Sequence, residues 1–561
     1  MPITVRIKIV SLSDFVAQLC RVTHAHVTVA QADADRKLTA FCVNRPAWEV
    51  MEKVAEALFM QWTFDRPSHT WRLELQPRVR QEEAAARQEA IERDRENLRT
   101  ALVTMQRWAR MSPEEQAKEH QPILARLEAA RTATGPDASQ RLKEAELDRQ
   151  LIRLQPSAGF SAAWGGRTEE AVARLASGET LFASSRPEDG LPLLPASDEP
   201  LTTFKTEGPA GLVIMVRYRR EQSEFEGRGL ILGTGLGALR APFRVRFPEG
   251  AKESPLERRM REWGETTDPE VLAKEIDPTI ARVTEEGYFV PGFSLSDHLE
   301  FLATGAGISI VADAFRTACS PPAPFSATTV DGYLNSLQQS WGGMIPYQPG
   351  PKRSNDGWLM LRSHQYWKQL DKEIPERLLR PVERTASQRA LTTLDYAALA
   401  GALTEGQADW IGQMGAPVLV RFSRTPLTVA MASLRFWSHL TAAERLAAAS
   451  AHGLGMEDVS AERRAEWARV ISESLWQSVL PDGFLSAVLS NSMSSLSLRY
   501  REREGLGNSS AESDVFLNSG VPPAMGPCLM VEFGYADELK RTFRISYPLE
   551  SPRSAAPRKR G

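Results

Sequence analysis

A glycine-rich run is the part of the sequence that comes closest to a motif with chemistry of its own. Gly233, Gly235 and Ala238 have the Gly-x-Gly-x-x-Ala spacing of a dinucleotide-binding turn, and they follow the apolar run 229–232. Such a turn must open a helix, because the helix N-terminus faces the pyrophosphate. Here Pro242 and an alternating, strand-like segment at 243–247 follow instead. The pattern therefore predicts a glycine-rich hairpin between two strands, without a bound cofactor.

Two histidines and three acidic pairs are the other candidates for catalysis or metal binding. His24 and His26 lie two apart at the start of a strand, where two metal ligands could point the same way. No nearby side chain completes a set of three or four ligands at a recognised spacing. Glu82-Glu83, Glu114-Glu115 and Glu285-Glu286 occur in charged segments that we expect to be exposed, where neither carboxyl would be held protonated for acid catalysis. We therefore predict no catalytic, cofactor-binding or metal-binding residue.

One polar triplet occurs twice, as Arg217-Tyr218-Arg219 and as Arg499-Tyr500-Arg501. On a strand, the two arginines of each triplet face one side and the tyrosine faces the other. One interpretation is a solvated arginine face with the tyrosine against the core. The other is a pair of equivalent docking strips for a carboxylate-bearing partner, since arginine suits bidentate contacts.

Length and composition are those of a multidomain globular protein. A chain of 561 residues allows about three to five domains, at roughly 100 to 200 residues each. Its 42% hydrophobic and 25% charged residues are ordinary values. The net charge of -3 argues against a nucleic-acid partner, which would require a concentrated basic face. The sequence has no run of about 18 apolar residues, so we expect no transmembrane segment.

The elements of the chain are organised around an internal repeat. Ser11-Leu12-Ser13-Asp14 returns as Ser294-Leu295-Ser296-Asp297, and each copy opens a helical pattern followed by a strand. The periodicity of residues 2–76 predicts strand, helix, strand, strand, helix, strand, strand, and residues 288–363 repeat this order. The fold class expected is α+β, with tandem duplicated modules. Each module is a small βαββαββ domain followed by a helical insert and a β-rich segment.

The order and spacing of the apolar positions in these two copies resembles the secretin and TonB short N-terminal (STN) domain. The resemblance implies a bacterial, non-enzymatic adaptor or assembly protein of the cell envelope, with a protein partner or self-association. It also implies the periplasm, although Met1–Val10 alternates like a strand and not like a signal peptide. Either an upstream segment is missing or the protein is cytoplasmic. The alternatives are an enzyme with an unrecognised active site between the two modules, or a cytoplasmic scaffold.

The predicted organisation has two modules. The expected segments are an STN-like domain at 1–77, a charged helical hairpin or short coiled coil at 78–155, a β-rich segment at 156–250 that is irregular to residue 200, a linker at 251–287, a second STN-like domain at 288–364, a helical insert at 365–479 with strand-like runs at 418–422 and 427–431, a β-rich segment at 480–549 and a disordered tail at 550–561.

Two further questions stay open in the sequence. In the charged segment, an apolar stripe that includes Leu98 and Met105 would line either a helical hairpin within the chain or a self-association seam. The four cysteines, Cys20, Cys42, Cys319 and Cys528, show no CxxC spacing. They are expected to be buried free thiols. A Cys20–Cys42 bridge is the alternative, and it would favour an oxidising compartment.

Overall fold

A computed structural model describes most of the chain, and its architecture is mixed α+β with several small sheets. The described residues are 1–132, 138–152, 158–187, 191–194, 211–220, 223–232, 238–239, 243–247, 254–265, 267–280, 294–314, 328–341, 349–363, 366–389, 391–404, 406–408, 411, 427–476, 496–504, 529–536 and 542–549.

The helices of these residues are mostly short, with one long exception in the charged segment. They are α1 (Leu12–Thr23), α2 (Ala47–Ala57), α3 (Pro77–Ala109), α4 (Pro113–Thr132), α5 (Ala138–Ile152), α6 (Ala158–Ala163), α7 (Thr168–Ala176), α8 (Pro255–Gly264), α9 (Pro269–Leu272), α10 (Leu295–Ala306), α11 (Val330–Trp341), α12 (Tyr366–Lys372), α13 (Glu376–Gln388), α14 (Thr393–Ala402), α15 (Leu427–His439), α16 (Ala442–Ala449) and α17 (Ala461–Trp476). Within these described helices, no stretch is both long and apolar enough to cross a membrane.

The strands form four sheets. They are β1 (Pro2–Ser11), β2 (Val27–Val29), β3 (Lys37–Pro46), β4 (Met60–Asp65), β5 (Thr70–Leu75), β6 (Leu181–Ser184), β7 (Gly211–Arg219), β8 (Glu224–Leu232), β9 (Ala238–Leu239), β10 (Phe243–Arg246), β11 (Ser309–Asp313), β12 (Pro349–Asn355), β13 (Trp358–Ser363), β14 (Leu454–Gly455), β15 (Ser497–Glu504), β16 (Leu529–Ala536) and β17 (Thr542–Leu549). Residues 2–76 have the order of helices and strands that their periodicity predicts.

The chain divides into two compact units, each assembled from separated stretches of sequence. The first unit contains Met1–Gln88, Lys252–Ser423 and Glu550–Gly561, and the second contains Glu89–Ala251 and Arg424–Leu549. Each unit therefore contains residues from both halves of the chain.

The first unit joins strands that are distant in sequence, from residues 2–46 and 309–363, in one sheet ordered β1-β3-β11-β13-β12. Strand β3 pairs antiparallel with β1 on one side and with β11 on the other, where Phe41 lies opposite Ile310. Strand β11 is parallel to β13, which is antiparallel to β12. The smaller sheet, β2-β5-β4, has the same strand directions as the β11-β13-β12 part of the larger sheet. In it, β2 is parallel to β5 and β4 is antiparallel to β5.

The repeated serines begin helices, as predicted. The Ser11 hydroxyl accepts the Asp14 backbone N–H at 3.2 Å, and the Ser294 hydroxyl accepts that of Asp297 at 3.4 Å. These bonds satisfy backbone donors that a helix leaves unpaired in its first turn. Both helices are followed by a left-handed residue, His24 after α1 and Gly307 after α10.

The second unit contains the antiparallel sheets β10-β8-β7-β6, with β9 beside β8, and β14-β15-β16-β17. The apolar stripe of α3 lies in the core of the second unit. There Leu98, Leu102 and Met105 pack with side chains of the sheet β10-β8-β7-β6, including Val216 and Phe225. The alternative of a self-association seam is therefore wrong for Leu98, Leu102 and Met105, because these residues are already buried inside the unit.

Two expectations from the sequence require correction, and two others concern residues outside the described ranges. The run 427–431 belongs to α15 and not to a strand, and Val429 and Ala430 are buried on that helix. Residues 158–184 of the segment expected to be irregular form α6, α7 and β6, because Phe160 and Trp164 anchor it in the core. The run 418–422 and the tail 550–561 lie outside the described residues.

The position of α3 gives a stability prediction. Replacing Leu98, which is fully buried, with Ala should lower the free energy of unfolding by about 2 to 5 kcal/mol, through lost burial and the cavity left behind. Val103→Ala on the same helix is the control, since Val103 is exposed and its truncation should cost less than about 0.5 kcal/mol. Urea denaturation followed by tryptophan fluorescence measures both. Equal effects of the two substitutions would contradict the burial of this stripe.

Candidate functional site

A half-open cleft of about 500 Å³ lies in the first unit, between the sheet face of β1 and β3 and the C-terminal half of α10. Residues 4–45 and 300–309, together with Ile280, contribute to its lining: Thr4, Val5, Arg6, Phe41, Cys42, Val43, Arg45, Ile280, Glu300, Phe301, Ala303, Thr304, Gly307, Ile308 and Ser309. The pairing of β3 with β11 brings these two sets together. Most of the lining is apolar, with charged and hydroxyl groups interspersed.

An ion-pair cluster joins β1 to α10 at the side of the cleft. Lys8 Nζ lies 2.8 Å from an Asp297 oxygen and 2.7 Å from a Glu300 oxygen, and Arg6 also pairs with Glu300. Burial alone would lower the pKa of Lys8, but its bonds to the two carboxylates raise that pKa above the ordinary value. Burial would raise the pKa of Glu300, whereas Arg6 and Lys8 bring it below the ordinary value. Both groups are therefore ionised near neutral pH.

Arg45 holds the opposite side of the cleft. Its Nε donates to the Ser309 hydroxyl at 3.2 Å, and its Nη1 donates to Glu49 at 3.1 Å. The indole N–H of Trp358 donates to the same Glu49 oxygen at 2.6 Å, and the guanidinium carbon of Arg45 lies 5.5 Å from the centre of the Trp358 ring. These contacts connect α2 and β3 with β11 and β13, so they fix the direction of the Arg45 side chain.

Cys42 is the nucleophile-type residue of the lining. Burial raises the pKa of its thiol to about 11. A thiol with that pKa is almost entirely protonated at neutral pH, and the thiolate is the reactive form. The other ionisable groups of the lining, Arg6, Arg45 and Glu300, are held in ion pairs.

A second feature is the aromatic tip, defined as Phe64, His69 and Trp71 on the β4–β5 hairpin. Phe64 and Trp71 lie opposite one another with ring centres 5.0 Å apart, and they are 44% and 41% exposed. His69 lies 6.2 Å from the Phe64 ring. Further down the same face, Leu73 is buried, so the tip extends beyond the core that the helices cover. In the described part of the chain, β4 is an edge strand.

The pair Glu82-Glu83 was expected to be exposed, and that expectation is wrong. Glu83 accepts two bonds from Arg36, at 3.0 and 2.8 Å, and one from the Tyr366 hydroxyl at 3.0 Å. Burial would raise the pKa of Glu83, but the Arg36 guanidinium brings it below the ordinary value. Glu82 pairs with Arg259 through two bonds, at 2.6 and 2.8 Å. These carboxylates therefore act as structural anions.

The other residues singled out in the sequence do not converge on a site. His24 is the left-handed residue after α1 and His26 precedes β2, and both are exposed. Glu114 and Glu115 are exposed as expected, and Glu285-Glu286 lies outside the described residues. Within the described ranges, no group of three or more His, Cys, Asp or Glu could hold a metal ion.

The flanks of the glycine-rich run are strands. Residues 233–237 lie outside the described residues, but β8 precedes them and β9 follows them. These two strands pair antiparallel, with Leu230 opposite Leu239. The predicted arrangement of two strands around the glycines is confirmed at its flanks, and a dinucleotide-binding turn would require a helix in place of β9.

The two Arg-Tyr-Arg triplets differ in their surroundings. Arg217 donates to Glu226 at 2.6 Å and to Glu473 at 3.1 Å, and its guanidinium carbon lies 4.1 Å from the centre of the Trp476 ring. Tyr218 is buried and donates to Asp94 at 2.6 Å, so the tyrosine faces the core as predicted. The interpretation of Arg217 as part of a solvated face or an open docking strip is wrong, because contacts within the unit occupy it.

The second triplet is more open. The Tyr500 ring stacks on Trp437 at 4.0 Å between ring centres, and Arg501 is exposed. The two triplets are therefore not equivalent docking strips.

Of the cysteines, Cys20 and Cys42 are free thiols, and the alternative of a bridge between them is wrong. Cys319 and Cys528 lie outside the described residues.

The ion-pair cluster was not predicted from the sequence, although the sequence contains a pattern that points to it. Arg6 and Lys8 alternate with the core residues of β1, and Asp297 and Glu300 lie one turn apart on α10. Opposite charges on these two elements indicate a contact once the elements are placed side by side. The local sequence pattern alone does not show that β1 and α10 lie side by side.

The chain matches no family model, no curated protein and no solved structure.

The ion-pair cluster gives a second prediction. Lys8→Met should lower the free energy of unfolding by about 3 to 5 kcal/mol, because it leaves Asp297 buried without its cation. Arg377→Met is the control, since Arg377 pairs with Asp35 at the surface and its loss should cost about 1 kcal/mol or less. Urea denaturation at pH 7 measures both. A cost for Lys8→Met no larger than for the control would show that the cluster is solvated.

The Glu83–Arg36 pair gives a pH dependence. The pKa of Glu83 is lower in the folded than in the unfolded protein, so its stabilisation is present above pH 4.5 and is lost as the pH falls through the folded value. Glu83→Gln should therefore be less stable than the wild type at pH 7, by about 3 kcal/mol, and the difference should shrink at pH 3. Urea denaturation at both pH values measures this, with Glu114→Gln as the exposed control. A difference independent of pH would rule out the titration of Glu83.

Proposed function

We propose that the protein is a non-enzymatic adaptor or assembly module of the bacterial cell envelope, in which STN-like domains bind a protein partner. The observation that carries the proposal is the aromatic tip beside the edge strand β4. This combination offers backbone hydrogen-bonding groups and large apolar side chains to the same ligand.

The proposal of two STN-like domains in a duplicated chain rests on paired features of the first unit. The sheet β2-β5-β4 and the β11-β13-β12 part of the larger sheet share the same strand directions, and each set of strands follows a helix that begins at the repeated serine. The second unit adds a β-rich segment from each half of the chain. These features support two tandem modules in which a strand of one module, β3, pairs with a strand of the other, β11.

The edge of β4 suits the addition of a partner strand. An edge strand presents unpaired N–H and C=O groups, which an extended peptide can satisfy by extending the sheet. Alternate side chains of an added strand would lie on the face that carries Phe64 and Trp71. The backbone would then supply affinity and the aromatic tip would supply specificity.

The rim of the tip favours a protein surface as the partner. Asp65, Arg66 and Ser68 are exposed around the two aromatic rings. Protein interfaces commonly have an aromatic centre surrounded by polar residues. Location in the periplasm is part of this proposal and depends on the resemblance to the STN family.

The test uses a photo-crosslinking amino acid placed at Asp65 in cells of the native organism, followed by fractionation. We expect a crosslinked adduct with a protein in the envelope fraction. Phe64→Ser with Trp71→Ser should remove it, since losing an aromatic anchor costs about 2 kcal/mol or more, roughly thirtyfold in affinity. Both side chains are already partly exposed, so circular dichroism melting should show the variant folded.

The matched control places the crosslinker at Ser387, which is exposed on α13 in the same unit. The adduct should form from Asp65 and not from Ser387. An adduct with a second copy of this chain would identify the assembly as self-association. Equal crosslinking from both positions, or an adduct that survives the double substitution, would overturn the proposal.

A further inference from the structure

We infer that the cleft between β1, β3 and α10 binds a small molecule that carries a carboxylate group on an apolar body. This inference goes beyond the adaptor role and does not depend on the aromatic tip. The volume of about 500 Å³ lies in the range of roughly 300 to 1,000 Å³ that is typical of small-molecule sites. A protein partner would require about 800 Å² of surface on each side, so the size of the cleft favours a small ligand.

The apolar part of the ligand has a defined place. Phe41, Phe301 and Ile308 line the cleft and are themselves buried, so they form a preformed apolar wall. Val43 lines the same cleft but is 76% exposed. An apolar ligand group that packs against Val43 would therefore remove apolar surface of the ligand and of Val43 from water. Each buried CH₂ contributes roughly 0.8 kcal/mol.

The arginines are the more exposed of the charged side chains at the cleft. The side chains of Arg6 and Arg45 are 60% and 30% exposed, whereas their partners Glu300 and Glu49 are 11% and 16% exposed. The carboxylates therefore lie beneath the guanidinium groups and hold them in place. A ligand that enters the cleft meets the arginines, whose guanidinium N–H groups can donate charge-assisted bonds to a carboxylate.

Hydroxyl groups complete the polar side. Ser309 accepts a bond from Arg45 through its oxygen, so its own proton is available to donate. Thr304 lies at the exposed end of α10 and also lines the cleft. Both hydroxyls can donate to ligand oxygens, as a carboxylate requires, and the arrangement disfavours a cationic ligand.

The experiment uses the full chain, labelled with ¹³C at valine and isoleucine methyl groups and followed by NMR. The probe is 4-phenylbutyrate, compared with 4-phenylbutanamide and 4-phenylbutylammonium at concentrations up to about 10 mM. We expect 4-phenylbutyrate to shift the methyl signals of Val43 and Ile308 and to leave that of Val103 unchanged. It should bind at least about tenfold more tightly than the amide, because a hydrogen bond to a charged group is worth about 1.5 to 3 kcal/mol.

Two variants test the assignment. Arg6→Gln should weaken binding of the carboxylate roughly tenfold while Lys8 still pairs with Glu300. Val43→Glu places a negative charge at an exposed position in the cleft and should abolish binding, whereas Val103→Glu, also at an exposed position, should not. Equal binding of the acid and the amide, no shift at Val43 and Ile308, or equal affinity of the Val43→Glu variant would overturn the inference. If a pentapeptide with a C-terminal phenylalanine binds more tightly than 4-phenylbutyrate, the ligand of the cleft is the carboxyl end of a peptide and the small-molecule inference is overturned.

Discussion

The pairing of β3 with β11 is the contact on which the first unit depends. It joins two small α+β motifs, distant in sequence, into one five-stranded sheet. The cleft exists because this pairing places α10 over a sheet face that β1 and β3 supply. Without it, the ion pairs of Lys8 with Asp297 and Glu300 would be lost.

Polar contacts made by Lys37 of β3 and by Lys53 of α2 are well buried. Lys37 contacts Glu373 and Glu376, with Lys37 and both carboxylates almost inaccessible to solvent. Lys53 reaches Asn355 at 2.8 Å. Desolvation cancels much of the attraction in such pairs, so their net contribution to stability is modest. Their effect is selective, because a shifted pairing of β3 with β11 would leave buried charges without partners.

Helices and strands were predictable from the sequence where they depend on residue patterns within a short stretch of chain. Alternation and helical spacing gave the order of elements in residues 2–76, and Ser11 and Ser294 marked helix starts. The prediction of a strand at 427–431 failed because a five-residue run with four apolar residues fits a strand as well as a helix.

Contacts between distant residues were not predictable in this way. Glu83 was expected to be exposed because its neighbours are charged, yet its partner Arg36 lies 47 residues away. Lys8 and Asp297 are separated by 289 residues, and no local pattern records that they meet. The cleft was missed for the same reason.

The distance along the chain between β3 and β11 also has a consequence for synthesis on the ribosome. Arg45 is made 264 residues before Ser309, its partner across the join. At about 5 to 20 residues per second, translation takes roughly 13 to 50 s to cover that interval. During this time the nascent first repeat has one sheet edge without its final neighbour, long after its own helices and hairpins can form. An unpaired sheet edge can pair with another chain, so the time before Ser309 is made is the time in which this edge is open to association between nascent chains.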